Sequence, residues 1–122
     1  MSMSNAAENS LLLLLFNNTD FALVGDAAGL QNSASAGSLY IALHTADPGE
    51  TGDQTTSEAG YTSYTRVAVA RSGAGWTVSG TAPTQVVNAA TVTFPTCTGS
   101  SSTVTYFSIG TDFSGAGVRL LS

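Results

Sequence analysis

The chain opens on a solid apolar run and then changes period. "SNAAENSLLLLLFNNTD" carries five consecutive leucines followed by Phe16. Ala, Glu and Leu favour helix, and Asn17, Asn18 and Thr19 favour its end. Asn5 stands three residues before Glu8, the spacing of a capping box with Asn5 as N-cap. The pattern predicts one helix over residues 6–16. An amphipathic surface helix shows a single apolar stripe, whereas this run puts leucine on every side. The helix therefore needs cover on most sides, as a buried core helix or against a neighbouring subunit, and both stay open.

From Phe21 onward the apolar positions come in short runs bounded by Gly, Ser, Asn and Pro. The predicted strands are "FALV" (21–24), "LYIALHT" (39–45), "YTRVAVAR" (64–71), "GWTVSG" (75–80), "QVVNAATVTF" (85–94), "TVTYFSIG" (103–110) and "VRLL" (118–121). They are rich in β-branched and aromatic residues. In "YTRVAVAR", Thr65, Val67, Val69 and Arg71 share one face and Tyr64, Arg66, Ala68 and Ala70 the other. In "TVTYFSIG", Val104, Tyr106 and Ser108 oppose Thr103, Thr105, Phe107 and Ile109. Many short strands at this spacing indicate a sandwich or barrel. "GDAAGLQNSASAGS" (25–38) reads as a flexible connector, and "CTGSSS" and "DFSGAG" as turns. The expected plan is an N-terminal helical arm, residues 1–20, and a β-sandwich domain, residues 21–122. The last strand would leave a bare sheet edge, a liability unless another subunit covers it.

Composition changes this picture mainly by what it excludes. Of 122 residues, 43% are hydrophobic, enough for one domain with its own core. Only 9% are charged, against about 25% in an average soluble domain. Three arginines, no lysine and eight acids leave a net charge of −5. Three scattered cations cannot neutralise a row of phosphates, so no nucleic-acid partner is expected, nor an anionic membrane surface. The sparse charge suits packing against other subunits. Cys97 is the single cysteine, so no intrachain disulfide can form; it is expected as a small buried or half-buried side chain. "SLLLLLF" lacks the flanks of a signal peptide and is too short to span a bilayer.

One stretch invites a chemical reading. "IALHTADPGETGDQTTSEAGY" (41–61) holds the only histidine, His44, and four of the eight acids: Asp47, Glu50, Asp53 and Glu58. A zinc site would need further His or Cys ligands, and no HExxH is present. The EF-hand pattern fails because Pro and Gly stand where ligands should. An irregular calcium site on Asp47, Glu50 and Asp53 stays open. Serines are abundant, but there is no GxSxG elbow and no phosphate-binding loop. No enzyme activity, no cofactor and no metal are expected. The alternative is a strand end and a structured loop, with the His44 ring bonding the loop and Asp47, Pro48 and Gly49 forming a turn. With so few cations, Glu58 or Asp53 is expected to pair with Arg66 or Arg71. Trp76 reads as core, with a sugar-stacking platform as the sharper alternative.

The stretch "LHTADPGETGDQTTSEAGYTSYTR" (43–66), with "GWTVSG" and "ATVTFPTCTGSSSTVTYFSIGTDFSGAGVRLL" after it, resembles a family of small tailed-bacteriophage virion proteins, often labelled tail-fibre proteins. The likeness covers most of the chain. Family members continue beyond an "LLxSG"-like end, where this chain stops at "LLS". By resemblance to capsid cement proteins, the expected fold is a mainly β, jelly-roll-like β-sandwich with an N-terminal α-helix. The implied role is a cement or decoration protein on the capsid surface of the virion, a homotrimer bridging major capsid protein subunits. Leu11, Leu12, Leu13, Leu14, Leu15 and Phe16, with Asp47, Glu50, Asp53, Glu58 and Tyr61, are the expected subunit contacts. Two other readings stay open: a tail or tail-fibre component binding the host surface, and a carbohydrate-binding module using Trp76 with Tyr61 or Tyr64.

Overall fold

A computed structural model describes residues 1–80 and 84–122. These residues hold one helix, α1 (Asn5–Asn17), and six strands: β1 (Ser38–His44), β2 (Val67–Ala70), β3 (Trp76–Ser79), β4 (Gln85–Asn88), β5 (Tyr106–Gly110) and β6 (Arg119–Leu121). The protein is mainly β with an N-terminal helix, as the hydrophobic pattern predicts. It divides into two compact units, Met1–Gly37 with Ala70–Thr91, and Ser38–Val69 with Val92–Ser122.

In the first unit α1 packs on the β3–β4 hairpin. Its N-cap is Ser4 and not Asn5: Ser4 is extended (φ −75°, ψ 153°) and its hydroxyl accepts from the Ala7 amide at 3.3 Å. Asn5 is already the first helical residue. Both are good caps, and the one in extended conformation satisfies the free amide. Glu8 lies in the first turn, where the helix dipole favours an acid. Asn18 ends the helix in the left-handed region (φ 54°, ψ 39°), which Asn tolerates better than most residues. Phe16 is fully buried and meets Trp76 edge to face, ring centroids 5.0 Å apart. Leu11 to Leu15 are all half-buried. That even distribution follows from a run of leucines around a helix that one hairpin covers on one side.

The strand expected at 21–24 is a single bridge between Phe21 and Leu30, with Leu23 at φ 67°. The connector expected to be flexible is pinned. Asn18 bonds Ser33 twice, through its amide nitrogen to Ser33 O and its oxygen from Ser33 N, both at 2.9 Å. Asp20 accepts from the Asn32 amide at 2.7 Å. The strand expected over 85–94 stops at Asn88, where pairing with Trp76 ends.

The second unit contains a sheet in the order β2-β1-β5-β6. β1 and β5 are antiparallel, Tyr40 opposite Gly110 through His44 opposite Tyr106. Directly opposed residues share a face. One face therefore carries Ala42, His44, Ser108 and Gly110, and the other Ile41, Leu43, Phe107 and Ile109. Leu39, Ile41, Ala42, Ala59 and Ile109 form the buried apolar set. β2 alternates as predicted, Val67 and Val69 half-buried and Ala68 and Ala70 exposed. β5 starts only at Tyr106, because β1 ends at His44 and leaves residues 103–105 without a ladder partner.

Candidate interaction surface

The acidic stretch is a shaped loop held by its own polar groups. The Asp47 carboxylate accepts from the Gly49 amide at 2.9 Å, the expected Asx turn. One Asp53 oxygen accepts from the Thr55 hydroxyl at 2.6 Å and the Thr55 amide at 2.8 Å. These two bonds, the hydroxyl foremost, hold the Asp53 carboxyl below its ordinary range. Among the described residues no three His, Cys, Asp or Glu side chains converge to hold a metal ion.

His44 points away from these acids. It is fully buried, Nδ1 2.8 Å from the Thr56 carbonyl and Nε2 2.7 Å from the Ser108 hydroxyl. A carbonyl only accepts, so Nδ1 carries the proton, and in the neutral ring Nε2 accepts from Ser108. The order serine, histidine, carbonyl is that of a nucleophile and its base. Both side chains have no exposed surface, however, and they tie the loop to the sheet face rather than open to a cleft.

Gln54 makes a second tie. It is fully buried, its Oε1 accepting from the Asp112 amide at 3.0 Å and its Nε2 donating to the Asp112 carbonyl at 3.3 Å. The side chain thus serves one residue as a strand partner would. Its own amide donates to Ala116 O at 2.9 Å. Room for it exists because residues 110 and 117 are glycines: a Cβ at either would collide with the Gln54 amide. Gly110→Ala is expected to destabilise the protein by about 1–3 kcal/mol through overpacking. Urea unfolding checks this; an unchanged midpoint would show that Gln54 is not held there.

The three arginines are all engaged with backbone carbonyls. Arg66, 4% exposed, grips Glu58 with two bonds, Nε–Oε1 2.7 Å and Nη2–Oε2 2.8 Å. It also donates to Asp112 O at 2.9 Å and Gly115 O at 2.8 Å. Tyr64 donates to Glu58 Oε1 at 2.9 Å and accepts from the Leu43 amide at 3.0 Å. Burial pushes the Tyr64 hydroxyl well above its ordinary pKa, with the Glu58 carboxylate adding to it, so it remains a donor. Arg71 donates to Leu14 O and Leu15 O, both at 2.7 Å, and to Ala36 O at 3.1 Å. It places a cation on the orphan carbonyls of the last helical turn. Arg119 donates to the Gly49 and Gly52 carbonyls. An open hollow of about 230 Å³ lies over the Arg66–Glu58 pair, its wall completed by Tyr64, Thr65, Phe113 and Ser114.

The expected contact residues separate into two groups. Asp47 and Glu50 are exposed, and Leu11 to Leu15 half-exposed, all on accessible surface. Phe16 is buried inside the first unit. Glu58 is bound internally to Arg66, the pairing that the scarcity of cations predicted. Asp53 is bound within the loop. Tyr61 is half-buried, its hydroxyl donating to Pro95 O at 2.9 Å. Trp76 is 3% exposed and is core, which overturns its reading as a stacking platform. Cys97 is exposed, contrary to expectation, and its thiol donates to Ser100 O at 2.9 Å. Gln54, Arg119 and Phe113 escaped the sequence reading. Gln54 had no signal beyond a polar residue in a long loop, since its partner is 58 positions away.

A family model described as "Podophage GP4 fiber I protein gp80" matches residues 2–122. No curated protein and no solved structure matches the chain.

Proposed function

Because the chain belongs to the Podophage GP4 fiber I protein gp80 family, a family of phage virion proteins, we propose that it is a non-enzymatic structural part of the particle, a fibre component that works by holding shape against neighbouring subunits. The observation that carries this reading is α1. Leu11 to Leu15 remain half-exposed after the helix has packed on its hairpin, with no charge among them. Apolar surface of that kind gains by burial against another chain. The engagement of all three arginines within the fold adds support, since no cation is left to steer the protein to phosphates. Capsid cement, a homotrimer bridging major capsid subunits on the head, is a second reading that the same helix supports. It differs in copy number: icosahedral positions favour cement, and a few copies at the tail favour a fibre.

The test is incorporation into particles. Leu13→Asp is expected to lower occupancy at least tenfold in purified virions, while Trp76 fluorescence and the circular dichroism of the free protein stay as in the parent. Full occupancy would remove the helix from the interface. A deletion within residues 49–56 is unsuitable, because it removes Gln54 and the Arg119 acceptors and so tests folding instead of contact.

A further inference from the structure

The hollow over the Arg66–Glu58 pair joins a few polar groups to a mostly apolar lining, and the structural role leaves it without a task. Glu58 Oε1 accepts from both Tyr64 and Arg66, whereas Oε2 accepts only from Arg66 among the described residues. A carboxylate has about four acceptor positions, so Oε2 retains one. The Glu58 side chain is 19% exposed and lines the hollow. Thr65 and Ser114 are exposed residues of its lining, as is Phe113, 56% exposed. The edge-to-face contact of Phe113 with Tyr40, centroids 6.0 Å apart, braces one part of its ring.

These groups define the ligand by their chemistry. A carboxylate with a free acceptor position takes a hydroxyl donor in a charge-assisted bond. The Thr65 and Ser114 hydroxyls donate or accept. The phenyl ring offers an apolar face for C–H groups. Arg66 neutralises Glu58, so the pair carries no net charge, and a cationic side chain entering the hollow would meet the guanidinium. A neutral polyol with one apolar face satisfies all of these conditions. The volume, about 230 Å³, is below the roughly 300–1,000 Å³ of sites for drug-sized ligands and limits the occupant to about one ring.

We propose that the Glu58–Phe113 hollow binds a single neutral sugar residue, with Glu58 Oε2 accepting from a sugar hydroxyl and Phe113 covering a pyranose face. The site does not depend on whether the protein sits on a fibre or on the head. A site with one aromatic wall and few polar anchors implies a dissociation constant of about 1–10 mM for one ring.

The experiment titrates the full chain with the methyl glycosides of glucose, galactose, mannose, N-acetylglucosamine and rhamnose, followed by NMR. At least one glycoside is expected to shift Thr65, Phe113 and Ser114 saturably. Phe113→Ala, which removes the apolar wall, and Ser114→Trp, which fills the hollow, should each weaken that binding at least fivefold, with Val87→Ala in the first unit as an unchanged control. The proposal is overturned if no glycoside moves these residues, if both variants bind like the parent, or if methylguanidinium saturates the hollow where the sugars do not.

Discussion

Replacing Arg66 with alanine is expected to cost about 3–5 kcal/mol of stability, the loss typical of breaking a buried ion pair from one side. Three consequences follow from one side chain. Glu58 is left in a half-buried position without its fork partner, the Gly115 carbonyl loses its donor, and the Asp112 carbonyl keeps only the Gln54 amide. Tyr64 then shares its hydrogen bond with an uncompensated carboxylate. Typical total stabilities are about 5–15 kcal/mol, so such a loss is a large fraction of the whole. The melting temperature should fall by roughly 10 °C or more. Arg66→Lys should fall between parent and alanine variant, because an ammonium keeps the charge but cannot hold the carboxylate and two carbonyls together. A drop of less than about 1 kcal/mol for Arg66→Ala would place the pair with ordinary surface salt bridges.

Phe16→Ala is expected to cost about 3–5 kcal/mol, the range for emptying a buried aromatic site. Phe16 has no exposed surface, and its partner Trp76 has 3%. Removing the phenyl ring takes away the edge-to-face contact and leaves a void where its six ring carbons stood. Trp76 is the single tryptophan, so its emission reports on this contact directly. A shift to longer wavelength at low denaturant, together with an earlier unfolding midpoint, is the expected result. Unchanged emission would mean that Trp76 is held by other neighbours.

The two variants also mark how far the sequence could be read. Phe16 was legible as a helix residue and Trp76 as core, but not their contact, because the hairpin that carries Trp76 lies about 60 residues further on and nothing local records the pairing. The Glu58–Arg66 pair was legible by a different route: with three cations in the chain, a buried arginine needs a nearby acid. The His44 loop was legible as a turn-rich loop bonded by the ring, since Asp-Pro-Gly has local turn chemistry. Its acids suggested a cation site because spacing alone cannot show where carboxylates point. Asp47 and Asp53 instead cap amides of their own loop.

By itself the sequence determined what is local and what is compositional. Helix propensity and end signals set the helix, and short apolar runs bounded by turn residues set most strands. The single cysteine excluded an intrachain disulfide. The tertiary structure alone decided which polar groups meet. Gln54 serves Asp112, Ser108 serves His44, and the three arginines bind carbonyls of segments remote in sequence. These choices depend on chain segments brought together by the sheet, and a buried polar group must take whatever partner that geometry supplies.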